Sequence, residues 1–266
     1  LILLLDLVVM SQLAGKTILQ VLYAIGVSMM MMVPLRRLGT KALFAISLLL
    51  IVGGEAITGL VWDLGAAGTE PLWVNLTFAP LFSDGLLIPY PAVPWLAMMM
   101  LGWAFGERLV AAPKDGWSTE RVLVVGGVIA LTTFAVVRAL DGYGNMFLYR
   151  DDGSIVQWLH VSKYPPSLAF TALELGLMAL ALAALMRLER VVKVRDGDPI
   201  LVFGQTALFF YIMHFMILGG ARAFVEPGGL GLAYLAAAVV LVTLYPICRH
   251  YRALKRKYPT SVLRYI

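Results

Sequence analysis

Cysteine and charge are what this sequence has least of. One cysteine, Cys248, in 266 residues excludes a disulfide framework and a cysteine-ligated metal site, and no metal is expected. Asp, Glu, Lys and Arg make up 14% of the chain, about half the share of a soluble domain. That is too little to coat a soluble fold of this length, while 61% of the residues are hydrophobic and the mean hydropathy is +0.85. The apolar surplus must face lipid. A soluble enzyme, a disordered chain and a nucleic-acid binder are therefore excluded, although the pI is near 9.4. The chain opens on Leu1, inside an apolar run to Met10 that is too short to span a bilayer, and no signal peptide precedes it. The expectation is a chain without its natural N-terminus.

What is present is a series of long apolar segments. A spanning helix needs about 20 mostly apolar residues. Beyond the partial span at 1–10, seven segments qualify or nearly do: 18–34, 42–62, 92–110, 122–140, 167–187, 200–220 and 229–248. Turn formers and charges fill the connections at Gly39, 63–91, Pro113 to Gly116, Asp141 to Gly144, Asp196 to Pro199 and Glu226 to Gly229. Unpaired backbone groups are not tolerated in hydrocarbon, so the spans are read as helices. The strict alternation of a β-barrel strand is absent. The fold class is an all-α polytopic transmembrane helix bundle of seven full spans and one partial span. It forms a single domain, with a bundle over 1–248 and a basic tail over 249–266. The only candidate interruption inside a span is Gly53-Gly54, before Glu55.

The cations set the orientation. Assigned alternately, one side holds Arg36, Arg37, Lys41, Arg108, Lys114, Arg121, Arg187, Arg190, Lys193 and Arg195, together with Arg249, Arg252, Lys255, Arg256, Lys257 and Arg264. The other holds Lys16, Arg138, Arg150, Lys163 and Arg222. Sixteen of the 21 Lys and Arg residues against five put the C-terminus in the cytoplasm and the loops 63–91 and 141–166 outside.

Ionisable groups inside spans are costly and usually face a cavity or a partner. Glu55, Glu174 and His214 each lie six or seven residues from the outer end of their span, about 10 Å deep at 1.5 Å per residue. One shared depth on three helices predicts a common cavity open to the outside. Private pairing of each group is the alternative. A buried carboxyl near a histidine suits proton transfer. At the outer helix ends, Tyr90-Pro91-Ala92-Val93-Pro94-Trp95 and Lys163-Tyr164-Pro165-Pro166-Ser167 open two spans. Proline suits a first turn. A lysine beside a helix N-terminus does not, because the dipole disfavours a cation there. An anionic ligand shared by Lys163 and the free N–H groups would resolve that conflict, and Arg138 falls on the same side.

These stretches carry a resemblance. Leu19 to Gly26, Tyr90-Pro91 with Pro94-Trp95 and Gly102, and Arg138 to Gly144 are part of it. So are Lys163 to Leu168, and Gly204 with Leu208-Phe209-Phe210-Tyr211 and His214. Together they resemble the bacterial membrane branch of the heparan-alpha-glucosaminide N-acetyltransferase catalytic-domain family. The family's opening Asp…Arg-Gly segment, and the histidine that follows it, have no match here, and Glu174 stands where the family has a small or neutral residue.

The resemblance implies an integral-membrane acyltransferase of the bacterial cytoplasmic membrane. It would pass an acetyl group from cytoplasmic acetyl-CoA to an acceptor on the outer side, such as a sugar amine or an envelope glycan. His214 and Lys163 are the expected catalytic residues. Tyr164, Arg138, Glu55, Glu174, Tyr90, Trp95 and Tyr211 are the expected substrate-binding residues. The expected partners are the lipid bilayer, a glycan or other small-molecule acceptor, and further copies of the chain in a homo-oligomer. The competing readings are a transporter with a polar mid-membrane site and a non-catalytic membrane fragment of the family.

Overall fold

A computed structural model describes residues 1–63, 68–115, 118–221, 228–261 and 263, and only the backbone of 112–115. Arg222, Arg264, the Lys114 side chain, and parts of the predicted connections 63–91, Pro113–Gly116 and Glu226–Gly229 lie outside the described residues. The chain divides into two compact units, Leu1–Leu188 and Glu189–Ile266.

The first unit begins with short helices α1 (Ile2–Leu4) and α2 (Ser11–Ala14) flanking a π-helical stretch, Leu5–Met10. Strand β1 (Thr17–Ile18) leads into α3 (Val21–Leu35), and α4 (Thr40–Val61) follows. Next come α5 (Leu72–Thr77), β2 (Leu81–Phe82), β3 (Leu86–Ile88) and α6 (Ala92–Asp115). Helices α7 (Thr119–Leu140), α8 (Ile155–Leu159) and α9 (Leu168–Val191) complete it, with the last turn of α9 counted in the second unit. The second unit holds α10 (Pro199–Gln205), α11 (Ala207–Ala221) and α12 (Leu230–Lys257).

Five helical stretches among the described residues are long and apolar enough to cross a membrane: Val21–Leu38, Thr40–Val61, Thr119–Leu140, Leu168–Val191 and Leu230–Lys257. The pair α10 and α11 makes a sixth if taken as one span. The segment read as 92–110 is helical, but its tryptophans, Glu107 and Arg108 keep it out of that group. The protein is thus mostly helical, with five or six candidate spans among the described residues.

Three expectations are corrected. The bundle is not purely helical, because β1, β3 and β2 form a small sheet in that order, parallel at β1–β3 and antiparallel at β3–β2. The Leu19 N–H extends the β1–β3 pairing to the Leu87 carbonyl at 2.8 Å. Strands of two or three residues satisfy connecting backbone that would otherwise be unpaired.

Second, Gly53-Gly54 does not interrupt its span, because both lie inside continuous α4. Third, the segment 200–220 is not one straight helix: α10 and α11 meet at 94°. At the bend the Thr206 Oγ bonds back to the Val202 carbonyl at 2.9 Å, and its N–H reaches Phe203 at 3.2 Å in a tightened turn.

Packing follows residue size. Met32, Leu43, Leu96, Met100 and Ala104 bury the seam between α3, α4 and α6. Helices α7 and α9 touch backbone to backbone at Gly127 and Gly176. A Cβ on Gly176 would stand 2.8 Å from Leu131, and one on Gly127 2.9 Å from Leu180. In the second unit, Val202, Val240, Leu244 and Cys248 form the core.

Candidate functional site

The first unit gathers four of the expected residues at the start of α6 and α9. The Lys163 Nζ lies 5.5 Å from the ring centroids of both Tyr90 and Tyr164. Those rings meet edge to face at 5.1 Å, with their hydroxyls 3.2 Å apart. Trp95 packs on Tyr90 at 5.1 Å and on Phe170 at 6.2 Å, while Phe82 flanks Tyr164 at 6.4 Å. Tyr90 is buried, Tyr164 is 40% exposed, and Phe82 is exposed. No carboxylate pairs with Lys163 among the described residues. The cage is therefore a cation held by aromatic faces and open on one side.

The turn that carries Lys163 is closed locally. The Ser167 N–H donates to the Ser162 carbonyl at 2.9 Å, and the Ser162 hydroxyl donates to the Pro165 carbonyl at 3.0 Å. The Tyr164–Pro165 peptide is cis. Ser167 then caps α9: its Oγ accepts from the Phe170 N–H at 2.9 Å, and the Gly144 carbonyl accepts from the Ala169 N–H at 2.9 Å. The Ala169 and Phe170 N–H groups are thus occupied and not available to an anion shared with Lys163.

Arg138 and Glu55 build the loop between α7 and α8. Arg138 is fully buried. Its Nε donates to the Trp158 carbonyl at 3.2 Å. Its Nη1 donates to Asn145 Oδ1 at 2.7 Å and to the Leu148 carbonyl at 3.1 Å, and its Nη2 donates to the Gln157 carbonyl. Every nitrogen of the guanidinium is engaged. Glu55 Oε2 accepts from the Gly144 N–H at 2.6 Å and the Met146 N–H at 2.8 Å. The loop needs such anchors: Asp141, Met146 and Phe147 all adopt positive φ, which costs a non-glycine residue strain. Glu174 is exposed on α9, and no hydrogen bond or ion pair joins it to Glu55 among the described residues.

In the second unit, the His214 Nδ1 lies 3.3 Å from the Phe210 carbonyl, one turn earlier on α11. A carbonyl only accepts, so Nδ1 is the donor in this contact. The ring stacks on Phe210 at 5.7 Å and tilts against Phe215 at 4.4 Å, with Tyr211 at 5.4 Å.

Sequence reasoning missed Asp6. Its side chain is fully buried, and its Oδ2 accepts from the Gln20 N–H at 2.7 Å and the Tyr23 N–H at 2.8 Å, capping α3. A lone acid in the apolar run 1–10 was the available signal. Tyr23 in turn donates to the Leu76 carbonyl at 3.0 Å and packs with Ile88 and Ala92, next to the cage residues on α6.

No group of three or more His, Cys, Asp or Glu that could hold a metal occurs among the described residues. Comparison with curated proteins and with solved structures returns no match. A family model described as "Heparan-alpha-glucosaminide N-acetyltransferase, catalytic" matches residues 3–138. That range takes in Asp6, α3, Glu55, the Tyr90 and Trp95 wall of the cage, and Arg138. Matched over half its length, the chain belongs to the heparan-alpha-glucosaminide N-acetyltransferase catalytic-domain family.

Proposed function

We propose that this integral membrane protein transfers an acetyl group from cytoplasmic acetyl-CoA to an acceptor bound on the opposite side. A sugar amine or an envelope glycan fits the family. The observation that carries the reading is the Lys163 cage, an ammonium without a carboxylate partner among the described residues, walled by Tyr90, Tyr164 and Trp95. In acetyl transfer the acceptor nitrogen attacks the thioester carbonyl carbon. The C–N bond forms, the C–S bond breaks, and the sulfur departs as a thiolate. Negative charge builds on the carbonyl oxygen, and a fixed donor such as Lys163 lowers that barrier. The proton lost by the nitrogen needs a base. Exposed Tyr164 and Phe82 offer ring faces to a sugar. We take the C-terminus as cytoplasmic and the membrane as the bacterial cytoplasmic one.

The test is Lys163→Ala in the full-length protein in native membranes, with labelled acetyl-CoA and a panel of amino sugars. Transfer should fall at least about tenfold, the equivalent of one lost charge-assisted contact, with unchanged membrane expression. Undiminished transfer would leave the lysine as a membrane-boundary marker. The bend at Thr206 favours one second reading, a transporter, since discontinuous helices form mid-membrane sites there. Acceptor uptake into vesicles without acetylation would support it over transfer.

A further inference from the structure

We propose that the turn Val192–Asp198, with the last turns of α12, is a docking surface for anionic phospholipid headgroups. The argument stays within the second unit and does not depend on acetyl transfer.

Helix α12 runs for 28 residues, whereas about 20 span a bilayer. The surplus carries Arg249, Lys255, Arg256 and Lys257. Two acids in the turn could have neutralised this end, but both are already used internally. Asp196 accepts from buried Arg252 through its carbonyl at 2.6 Å and also through its carboxylate, which takes Arg256 as well at 2.9 Å. Asp198 Oδ2 accepts from the Arg195 N–H at 2.7 Å. The Tyr245 hydroxyl fastens Gly197 to the same face of α12 at 2.5 Å.

Lys193, Arg195, Lys255 and Lys257 are left without a carboxylate partner among the described residues. Lys193 and Arg195 stand on the turn that is tied to α12, and Lys255 and Lys257 on the last turns of that helix. Neighbouring Lys193 and Arg195 along the chain are exposed apolar side chains: Val191 is 80% exposed, Ile200 71%, and Val192 and Val194 about half. Cations that alternate with exposed valines match a headgroup layer, where phosphates meet the cations and the acyl boundary meets the valines. A soluble phosphate would satisfy the cations and leave the valines in water, so the pattern favours lipid.

The experiment uses the full chain, purified in mild detergent and titrated with phosphatidylglycerol against phosphatidylcholine, with bound lipid read by native mass spectrometry. The parent should retain phosphatidylglycerol selectively, and added salt should weaken that retention. Replacing Lys193, Arg195 and Lys255 together by glutamine should cut the selectivity by roughly fivefold per cation. The unfolding temperature should not move, because the Asp196–Arg252 clasp is untouched. Val192→Ser with Val194→Ser should weaken retention of both lipids and leave the salt dependence as it was. Unchanged selectivity in the triple variant would overturn the proposal. So would displacement of the lipid by adenosine 3′,5′-bisphosphate at equal concentration, which would identify a site for soluble phosphates instead.

Discussion

Replacing Arg138 by lysine separates two roles for this cation. The sequence places it at an outer helix end, where it suits substrate binding. The structure spends its nitrogens on Trp158, Gln157, Leu148 and Asn145. A planar fork reaches four acceptors on two sides, whereas a lysine ammonium is one atom with three donors. It can stay with the 145–148 side or with the 157–158 side, not both. Two bonds are then lost. Each hydrogen bond to a charged group contributes about 1.5–3 kcal/mol. Relaxation and water entry offset part of this, which leaves a cost of about 3 kcal/mol. At about 2–4 °C per kcal/mol for a chain of this size, the Arg138→Lys protein should unfold about 6–12 °C below the parent. The assay is thermal unfolding in detergent, followed by size-exclusion fluorescence. Limited proteolysis should also cut between Asp141 and Leu159 first. An unfolding temperature within about 2 °C of the parent, together with abolished acetyl transfer, would refute the scaffold role and restore the ligand role.

Three further outcomes are expected. Asp6→Ala should cost about 2–3 kcal/mol, since two buried N–H groups at the start of α3 lose their acceptor, whereas Asp6→Asn should cost less than half as much; equal losses in the two variants would contradict the cap. Glu55→Ala should make the 141–150 loop protease-sensitive while Glu55→Gln protects it, because the amide oxygen can still accept from Gly144 and Met146; cleavage at the parent rate in the alanine variant would count against that anchor. The hydrogen bond from Arg256, and then the charges of Arg252, Arg256 and Arg249, hold the Asp196 carboxyl below the usual carboxylate range. A depressed acid stabilises the fold above its unfolded value of about 3.9 and loses that contribution as pH falls from there through the folded value. The stability gap between parent and Asp196→Asn should therefore be constant from pH 8 to 5 and close below about pH 4. A gap that opens only on acidification would have the wrong sign.

What the sequence could reveal followed the range of the contacts. Spans were legible because lipid imposes length and apolarity on a continuous run. Thr40–Val61, Thr119–Leu140 and Leu168–Val191 lie close to the ranges read from composition. The bend at Thr206 was not legible. Residues 200–220 stay apolar through it, and the Thr206 back-bond and the tightened turn leave no mark on hydropathy. The sheet was hidden for a similar reason, since strands of two and three residues are shorter than any period. Asp6 was lost inside a run counted only for its length.

The candidate site divides along the same line. Tyr90, Trp95, Lys163 and Tyr164 each sit at or near the outer start of a span, so sequence position alone grouped them, and the structure brings them into ring contact. Glu55 stands out in the sequence by its cost in a membrane and Arg138 by its place at an outer helix end, and neither signal says what settles the cost of burial. Backbone groups from 144–158 and the Asn145 amide oxygen settle it, through contacts up to 91 residues apart. That settlement bears on the cage. Glu55 fixes the Gly144 and Met146 N–H groups, the Gly144 carbonyl then caps the first turn of α9, and Ser167 closes both that turn and the one holding Lys163. Glu55 and Arg138 thus hold the frame on which Lys163 is placed. A ligand anion need not meet those side chains to depend on them, and Lys163, held by rings, has no carboxylate partner among the described residues.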